Sequence, residues 1–209
     1  MTKKKTIERS DNIKVVFVEG DADEIIIDGL IQYYRSKGFK KLVKVINTHG
    51  FPEEKKMKQG LKRIKLTSKS LVMFDAVVCE YDTDVLDKGI KLRPEWGRVE
   101  KNLKNYYCVS NFCRIEAKTS IEDWLLDDLD GLLKALNLPL DTMPKGHDGQ
   151  EKVKGLFRKK NIVYDRNKGR EKIKPYLEKL DIAKIREARK KELKEFEKLL
   201  GIKIIDKKK

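Results

Sequence analysis

Acidic side chains follow two apolar runs of the chain. Glu19 comes directly after "KVVFV" and before Gly20, and Asp82 and Asp84 follow "AVVCEY" on either side of Thr83. Carboxylate oxygens are the ligands that Mg²⁺ prefers, and Mn²⁺ accepts the same ligands. Because the chain has only two histidines and three cysteines, the sequence favours Mg²⁺, with Mn²⁺ as a substitute, over zinc.

Asp82 and Asp84 are two residues apart in the sequence. Side chains at that spacing on an extended backbone point to the same side, so an extended conformation at Thr83 would direct both carboxylates to one metal site. An Asp-rich turn that closes a strand explains the same residues without a metal. The residues alone leave both interpretations open.

Glu19 and Asp23 flank the start of a predicted helix. Gly20 permits a sharp turn after the strand, which leaves the Glu19 carboxylate at the strand end and lets Asp23 point back across the first helical turn. Stabilisation of the helix dipole explains Asp23 equally well. It does not explain Glu19, because Glu19 precedes the helix.

The stretch "TSIEDWLL" predicts another helix start. Ser120 and Asp123 have the spacing of a capping box, which gives Asp123 a structural role. Glu122 has no such explanation. We therefore predict that Glu122 faces the same site as Glu19 and the Asp82 pair.

The predicted elements place these acids at one edge of a sheet. Apolar runs predict strands at 13–18, "KLVKVIN", "MFDAVVCEY" and "YYCVSNF", with helical patterns between them. Strands that alternate with helices predict an α/β fold, with a mainly parallel sheet of about four strands flanked by helices. Functional groups of such sheets gather at the carboxyl ends of the strands.

The positive charge is concentrated near the end of the chain. Residues 1–150 hold 27 basic and 24 acidic side chains, whereas residues 151–209 hold 22 and 10, so the second segment carries a net +12 of the total +15. We predict an α/β domain over 1–136 and a basic helical extension over 137–209 that packs on it. A polyanion such as nucleic acid is the expected partner, although a solvated lysine-rich surface has the same composition. The predicted nucleic-acid-binding residues are Arg158, Lys159, Lys160, Arg166 and Arg170.

No window approaches the roughly 18 apolar residues that span a bilayer, and the first residues lack the apolar core of a secretory signal. The three cysteines lie in or beside apolar runs, which is typical of buried free thiols. We expect a cytoplasmic protein without a membrane partner.

The motifs together resemble a known family. "VVFVEGDAD" resembles the strand, glutamate, glycine and trailing acid of TOPRIM domains, and "VVCEYDTD" resembles their strand that ends in Asp-x-Asp. "SIEDWLLDDLDGLLKAL" and "YDRNKGREKIKPYLEKLD" are similar to segments of small stand-alone TOPRIM-like bacterial proteins, including relatives of the OLD-family nucleases. The resemblance covers roughly residues 13–185.

The resemblance implies roles for individual residues. Glu19 would be a general base or metal ligand, and Asp82 and Asp84 would be metal ligands. The OLD-type branch implies that Asp23 and Glu122, with Ser120, are further metal-site groups. It also implies that Lys168 is a transition-state cation, with Arg166 or Arg170 as substitutes in that role. The chain has no "GxxxxGK[ST]" motif, so an ATPase of the OLD type would have to be a separate subunit.

These observations predict a metal-dependent nuclease that acts on DNA or RNA, and the resemblance suggests a role in phage defence. One alternative is a TOPRIM-like module that binds nucleic acid or a partner protein without turnover. Another is nucleotide sensing or nucleotidyl transfer, because the same carboxylates could hold a metal-bound triphosphate.

Overall fold

The computed structural model describes residues 11–68, 71–89, 93–166 and 169–202. The elements up to the last strand are β1 (Asp11–Val18), α1 (Asp21–Ser36), β2 (Leu42–Asn47), α2 (Glu54–Thr67), β3 (Val72–Asp82), α3 (Asp84–Asp87), α4 (Trp96–Tyr107) and β4 (Asn111–Ala117). The helices that follow are α5 (Ile121–Leu126), α6 (Leu129–Ala135), α7 (Gly149–Arg158), α8 (Arg170–Leu177), α9 (Ile182–Ala188) and α10 (Lys190–Leu200).

The four strands form one parallel sheet in the order β2-β1-β3-β4. Val16 at the centre of β1 pairs with Val45 on one side and with Val78 on the other. The predicted α/β fold with a four-stranded parallel sheet flanked by helices is confirmed. Because β1 and β3 lie at the centre, their carboxyl ends are neighbours, and the acids that follow them reach one edge of the sheet.

Two apolar cores cover the two faces of the sheet, as side-chain alternation along β1 requires. Val16 and Val18 face a core built with α1 and the helices after β4. Val15 and Phe17 face a second core built with α2 and α4. Both faces of the central strands are buried, which explains why β1 and β3 are nearly continuous apolar runs.

The helices after β4 complete the first of these cores. α8 and α9 pack against α1, and α10 packs against β4. An apolar stripe over residues 182–200 is divided between α9 and α10, which meet at Arg189. Its members Ile185, Leu193 and Phe196 are all buried in the core shared with the sheet. The division into 1–136 and 137–209 stays a prediction.

The fourth strand was predicted at the wrong residues. α4 continues through Tyr107 and ends where Cys108 adopts a left-handed conformation with φ 55°. The strand begins only at Asn111. It lies at the sheet edge, where the charged side chains of Arg114 and Glu116 alternate with buried neighbours, so its sequence lacks the apolar run that marks the central strands.

The helices of the described ranges are short. α1, with 16 residues, carries three acidic residues in its first turn. Across these ranges, no helix combines the length and the apolar character that a membrane span needs.

Candidate metal centre

Several elements bring carboxylates to the carboxyl edge of the sheet around one guanidinium. Arg166, in the loop between α7 and α8, forms an ion pair with Asp82 through Nη1, and the same atom lies 3.8 Å from Glu122 Oε2. Its Nη2 lies 3.2 Å from Asp23 Oδ1 and 3.8 Å from Glu19 Oε2. Its side chain is only 13% exposed. Four carboxylates from three separate stretches of the sequence therefore share one buried region.

The ends of β1 and β3 position two of these carboxylates. Glu19 follows the last residue of β1, and its Oε1 accepts a hydrogen bond from the backbone N–H of Asp82 at 3.2 Å. Asp82 is the last residue of β3. Its Oδ1 accepts from the backbone N–H of Ile121 at 2.9 Å, at the start of α5. Asp82 therefore joins the strand end to the helix that carries Glu122.

Glu80 is a site residue that the sequence analysis missed. It lies two residues before Asp82 on β3, so the two side chains share one face of the sheet. One oxygen each from Asp23, Glu80 and Asp82 lie within 4.8 Å of one another. Glu80 is fully buried, and neither of its carboxylate oxygens has a hydrogen-bond partner among the described residues. The signal in the sequence was an acid inside the apolar run "AVVCEY".

Of the two interpretations of Asp82 and Asp84, the structure has the turn at the strand end rather than an extended backbone at Thr83. Thr83 is helical, with φ −81° and ψ −17°, and Asp84 begins the short helix α3. The Asp84 carboxylate is partly exposed and forms an ion pair with Lys88 at 3.1 Å. Its charge is still one of those that raise the pKa of Glu19. Asp84 thus lies at the rim of the centre, and its role as a ligand stays a prediction.

The predicted capping box is present only in part: the Asp123 carboxylate accepts a hydrogen bond from the backbone N–H of Ser120. Ser120 occupies the N-cap position of α5, but its side chain makes no capping hydrogen bond. The N–H of Asp123 bonds instead to the backbone carbonyl of Ser120 at 3.2 Å, and Asp82 accepts from the first helical N–H. The Asp82 carboxylate, at the end of β3, therefore caps α5 in place of the Ser120 side chain.

The loop that carries Arg166 is fixed to α1 by reciprocal capping. The Arg166 carbonyl accepts from the N–H of Asp21 at 2.5 Å and from that of Ala22 at 3.4 Å, which satisfies two free donors at the start of α1. In return, Asp21 Oδ2 accepts from the N–H groups of Gly169 and Arg170 at 3.0 Å and 2.9 Å, at the start of α8. These bonds hold the guanidinium over the end of the sheet.

The five predicted nucleic-acid-binding residues occupy different places. Arg158, Lys159 and Lys160 are exposed at the end of α7, where the first two line a surface cavity with Lys145 and Lys154. Arg170 forms ion pairs with Glu24 and Asp28 of α1, and Arg166 lies among the carboxylates. Lys168, the predicted transition-state cation, lies outside the described residues.

Burial dominates the electrostatics of the centre. Desolvation, with a further contribution from the charge of Asp23, raises the pKa of Glu19 to about 7. The same two causes raise the pKa values of Glu80 and Asp82 well above the ordinary range, and burial raises that of Glu122. Arg166 opposes all four shifts.

The donor set fits a hard divalent cation. Counting Glu80, five carboxyl groups lie around one guanidinium, so a single positive charge opposes up to five negative charges in this part of the described structure. Two buried oxygens of Glu80 and Oε2 of Glu122 make no hydrogen bond within the described ranges. Unpaired buried carboxylate oxygens are costly unless a cation binds them, and oxygen ligands alone suit Mg²⁺ or Mn²⁺.

Comparisons of the chain with protein-family models, with curated proteins and with solved structures found no match. The resemblance to TOPRIM domains therefore stays a prediction that depends on the order and spacing of the motifs.

We expect the metal-free protein to lose stability as the pH rises from 5 to 8. The pKa of Glu19 is about 7 in the fold against an ordinary value of 4.5. The contribution of Glu19 to the free energy of unfolding is complete below pH 4.5 and is lost as the pH rises through 7, because Glu19 loses its proton at a lower pH in the unfolded chain than in the fold. A shift of this size corresponds to about 3 kcal/mol. Thermal melting in EDTA across this range measures the effect, which should be smaller in Glu19→Gln. A melting temperature that rises towards pH 8 in both proteins would contradict the expectation.

Proposed function

We propose that this protein is a Mg²⁺-dependent nuclease that hydrolyses phosphodiester bonds in DNA or RNA, with Mn²⁺ as a substitute ion. One observation carries the proposal. Glu80 has two buried, unpaired oxygens beside Asp23 and Asp82, and ligand atoms of all three residues lie within 4.8 Å of one another. A cluster of this kind can hold a divalent cation against a phosphate.

The carboxylates divide between holding the ion and moving a proton. Asp23, Glu80 and Asp82 are fully buried and would hold the metal, with Glu122 beside them. When bound, the ion supplies Lewis-acid stabilisation of the phosphate charge and lowers the pKa of water. Glu19 is 6% exposed and has a pKa of about 7. Its position at the solvent side suits it to accept the proton of the attacking water as general base.

The position of Arg166 suits a cation that stabilises the transition state. Its guanidinium lies within 3.8 Å of oxygens of Glu19, Asp23 and Glu122. A planar guanidinium forms two parallel hydrogen bonds to a phosphate, which suits a charge that grows during the reaction. Arg166 would therefore serve in the role that the family resemblance gives to Lys168 or its neighbours.

Arg166→Gln is expected to make the fold dependent on divalent metal. Removal of one partner from a buried charge cluster costs about 3–5 kcal/mol, because the remaining carboxylates lose their counter-charge. We expect a lower melting temperature in EDTA and recovery in excess Mg²⁺. Arg170→Gln is the matched control: Arg170 pairs with Glu24 and Asp28 on the surface of α1, and exposed pairs contribute up to about 1 kcal/mol. Equal melting temperatures of the two variants in EDTA would contradict the role of Arg166 as the counter-charge of the buried carboxylates.

The basic surface and the family resemblance support the wider proposal. Arg158, Lys159 and Lys160 are exposed at the end of α7 and just after it, where they would pair with backbone phosphates and release counterions. The resemblance to TOPRIM and OLD-family proteins supports a role in phage defence in the cytoplasm. A separate ATPase or other subunit would supply the ATP-dependent part of such a system.

A second candidate function follows from the position of Arg166. A guanidinium already lies in the acidic cluster and balances part of its charge. A protein with this internal cation could bind nucleic acid or a partner protein as a TOPRIM-like module without cleaving it. Retention of Arg166 pairing in the presence of excess Mg²⁺ would favour this candidate.

One incubation separates the candidates. Pure protein is mixed with labelled DNA and RNA in Mg²⁺, Mn²⁺ or EDTA. The nuclease proposal predicts cleavage with either metal and none in EDTA. Binding that weakens steeply with salt, without cleavage in any condition, would support the binding module and contradict the nuclease. Saturable binding of a nucleoside triphosphate without cleavage of polymers would instead indicate nucleotide chemistry.

A further inference from the structure

A groove lined by lysines and tyrosines runs between α2 and α4. This α2–α4 groove encloses about 670 Å³ and is lined by Lys58, Lys62, Lys65, Leu66, Asn102, Tyr106 and Tyr107. It lies on the face of the sheet opposite α1 and the helices after β4. Its lining holds three cations and, within the described residues, no carboxylate.

The groove begins one helical turn after the start of α2 and follows the rest of that helix. α2 follows the carboxyl end of β2, and Asn102 of α4 donates to Glu54 Oε1 at the start of α2 at 2.9 Å. One turn further along both helices, Lys58 lies beside Tyr106. The two helices therefore run side by side in the same direction, and the groove reaches the amino end of β3, where the Lys65 Nζ lies over the Phe74 ring.

Tyr106 and Leu66 expose large apolar surfaces inside this basic region. Tyr106 is 70% exposed and Leu66 is 75% exposed. The Lys58 Nζ lies 5.1 Å from the centre of the Tyr106 ring, which is the distance of a cation–π contact. A lysine-rich surface that only keeps the protein in solution has no need of an exposed ring, so the combination indicates a ligand with both negative charge and a flat apolar face.

The charge of the groove favours a polyanion. Lys58 is partly neutralised by Glu54 at 2.5 Å, whereas the Lys65 ammonium lies over the rings of Phe74 and Tyr107 at 5.5 Å and 5.6 Å. Aromatic rings leave the positive charge of Lys65 uncompensated. Residues 58, 62 and 65 follow one face of α2 at helical spacing and span about 10 Å along its axis.

We propose that the α2–α4 groove binds single-stranded nucleic acid, with a base stacked on Tyr106 and phosphates beside Lys58, Lys62 and Lys65. Single-strand sites combine a cationic path for the backbone with aromatic rings on which bases stack. A duplex offers the phosphates but keeps the faces of its bases stacked inside the helix. The inference extends the proposed function, because it names a single strand as the polymer held at the sheet, but it requires neither metal nor cleavage.

Fluorescence anisotropy in EDTA tests the groove separately from cleavage. The probes are labelled oligo-dT and a blunt duplex of the same length. Tyr106→Ser is expected to bind oligo-dT about tenfold more weakly, because the stacked base is lost, while Tyr106→Phe retains wild-type binding. In Lys62→Gln with Lys65→Gln, the slope of log affinity against log salt should fall by about 0.7 for each lysine.

The control is Lys194→Gln, an exposed lysine of α10 on the other side of the sheet, which should leave the salt slope for oligo-dT unchanged. Three results would contradict the proposal that the groove binds single-stranded nucleic acid. They are no oligo-dT binding by the wild type, wild-type affinity in Tyr106→Ser, or an equal loss of duplex binding in that variant. Cleavage in Mg²⁺ is measured separately, so a nuclease without this groove and a groove without nuclease activity give different results.

Discussion

Asp82→Asn is expected to reduce Mg²⁺-dependent cleavage by about a thousandfold or more, since a ligand that stabilises transition-state charge contributes several kcal/mol. Asp82 is fully buried at the end of β3 and reaches both Arg166 and the oxygens of Glu80 and Asp23. Asparagine keeps the oxygen that accepts from the N–H of Ile121. The variant should therefore fold while it loses one ligand charge.

Cleavage of labelled DNA and RNA, with circular dichroism as the check of folding, measures this result. Glu19→Gln should have a comparable effect because it removes the proton acceptor at the solvent side of the centre. Asp141→Asn, on an exposed residue between α6 and α7, is the matched control and should cleave like the wild type. Retained cleavage in both Asp82→Asn and Glu19→Gln would reject the proposed chemistry.

Glu80→Gln is expected to separate metal binding from stability. Glutamine has nearly the same shape, and its amide can donate to the carboxylates of Asp23 and Asp82, whose oxygens lie within 4.8 Å. Because burial holds the pKa of Glu80 well above the ordinary range, keeping this carboxyl uncharged and buried costs free energy at neutral pH, and loss of that cost should raise the stability of the metal-free protein by about 1–3 kcal/mol. Loss of a ligand should weaken Mn²⁺ binding by at least the tenfold to hundredfold that is typical for an outer-shell partner.

Calorimetric titration with Mn²⁺ and thermal melting in EDTA measure the two effects. Glu116→Gln is the control on the neighbouring strand: Glu116 accepts from the Tyr81 hydroxyl at 2.7 Å, outside the acidic cluster. It should leave Mn²⁺ affinity unchanged. If Glu80→Gln binds Mn²⁺ as tightly as the wild type, Glu80 has no part in a metal site.

Much of the fold could be predicted from local patterns. β1 and β3 are buried on both faces, so their sequences are nearly continuous apolar runs that end in acids. The alternation of strands and helices then gave the parallel sheet. β4 could not be located in the same way, because Arg114 and Glu116 interrupt its apolar pattern. The aromatic residues Tyr106 and Tyr107, which resembled the start of a strand, lie at the end of α4.

The site residues that could be predicted are those whose place in the fold follows directly from their place in the sequence. Glu19 and Asp82 follow neighbouring parallel strands, and the structure brings them together with Asp23 and Glu122. Glu80 was missed because its burial depends on the position of its strand at the centre of the sheet, which an acid inside an apolar run does not reveal. The structural position of Arg166 depends on contacts of its loop with α1, more than a hundred residues earlier, which no local pattern contains.

A Mn²⁺ soak of crystals, with an anomalous difference map, tests the metal centre most directly. We expect a peak bounded by carboxylate oxygens of Asp23, Glu80 and Asp82 at the carboxyl edge of the sheet. Mn²⁺ peaks elsewhere, with the Arg166 guanidinium filling the space between these carboxylates, would contradict it.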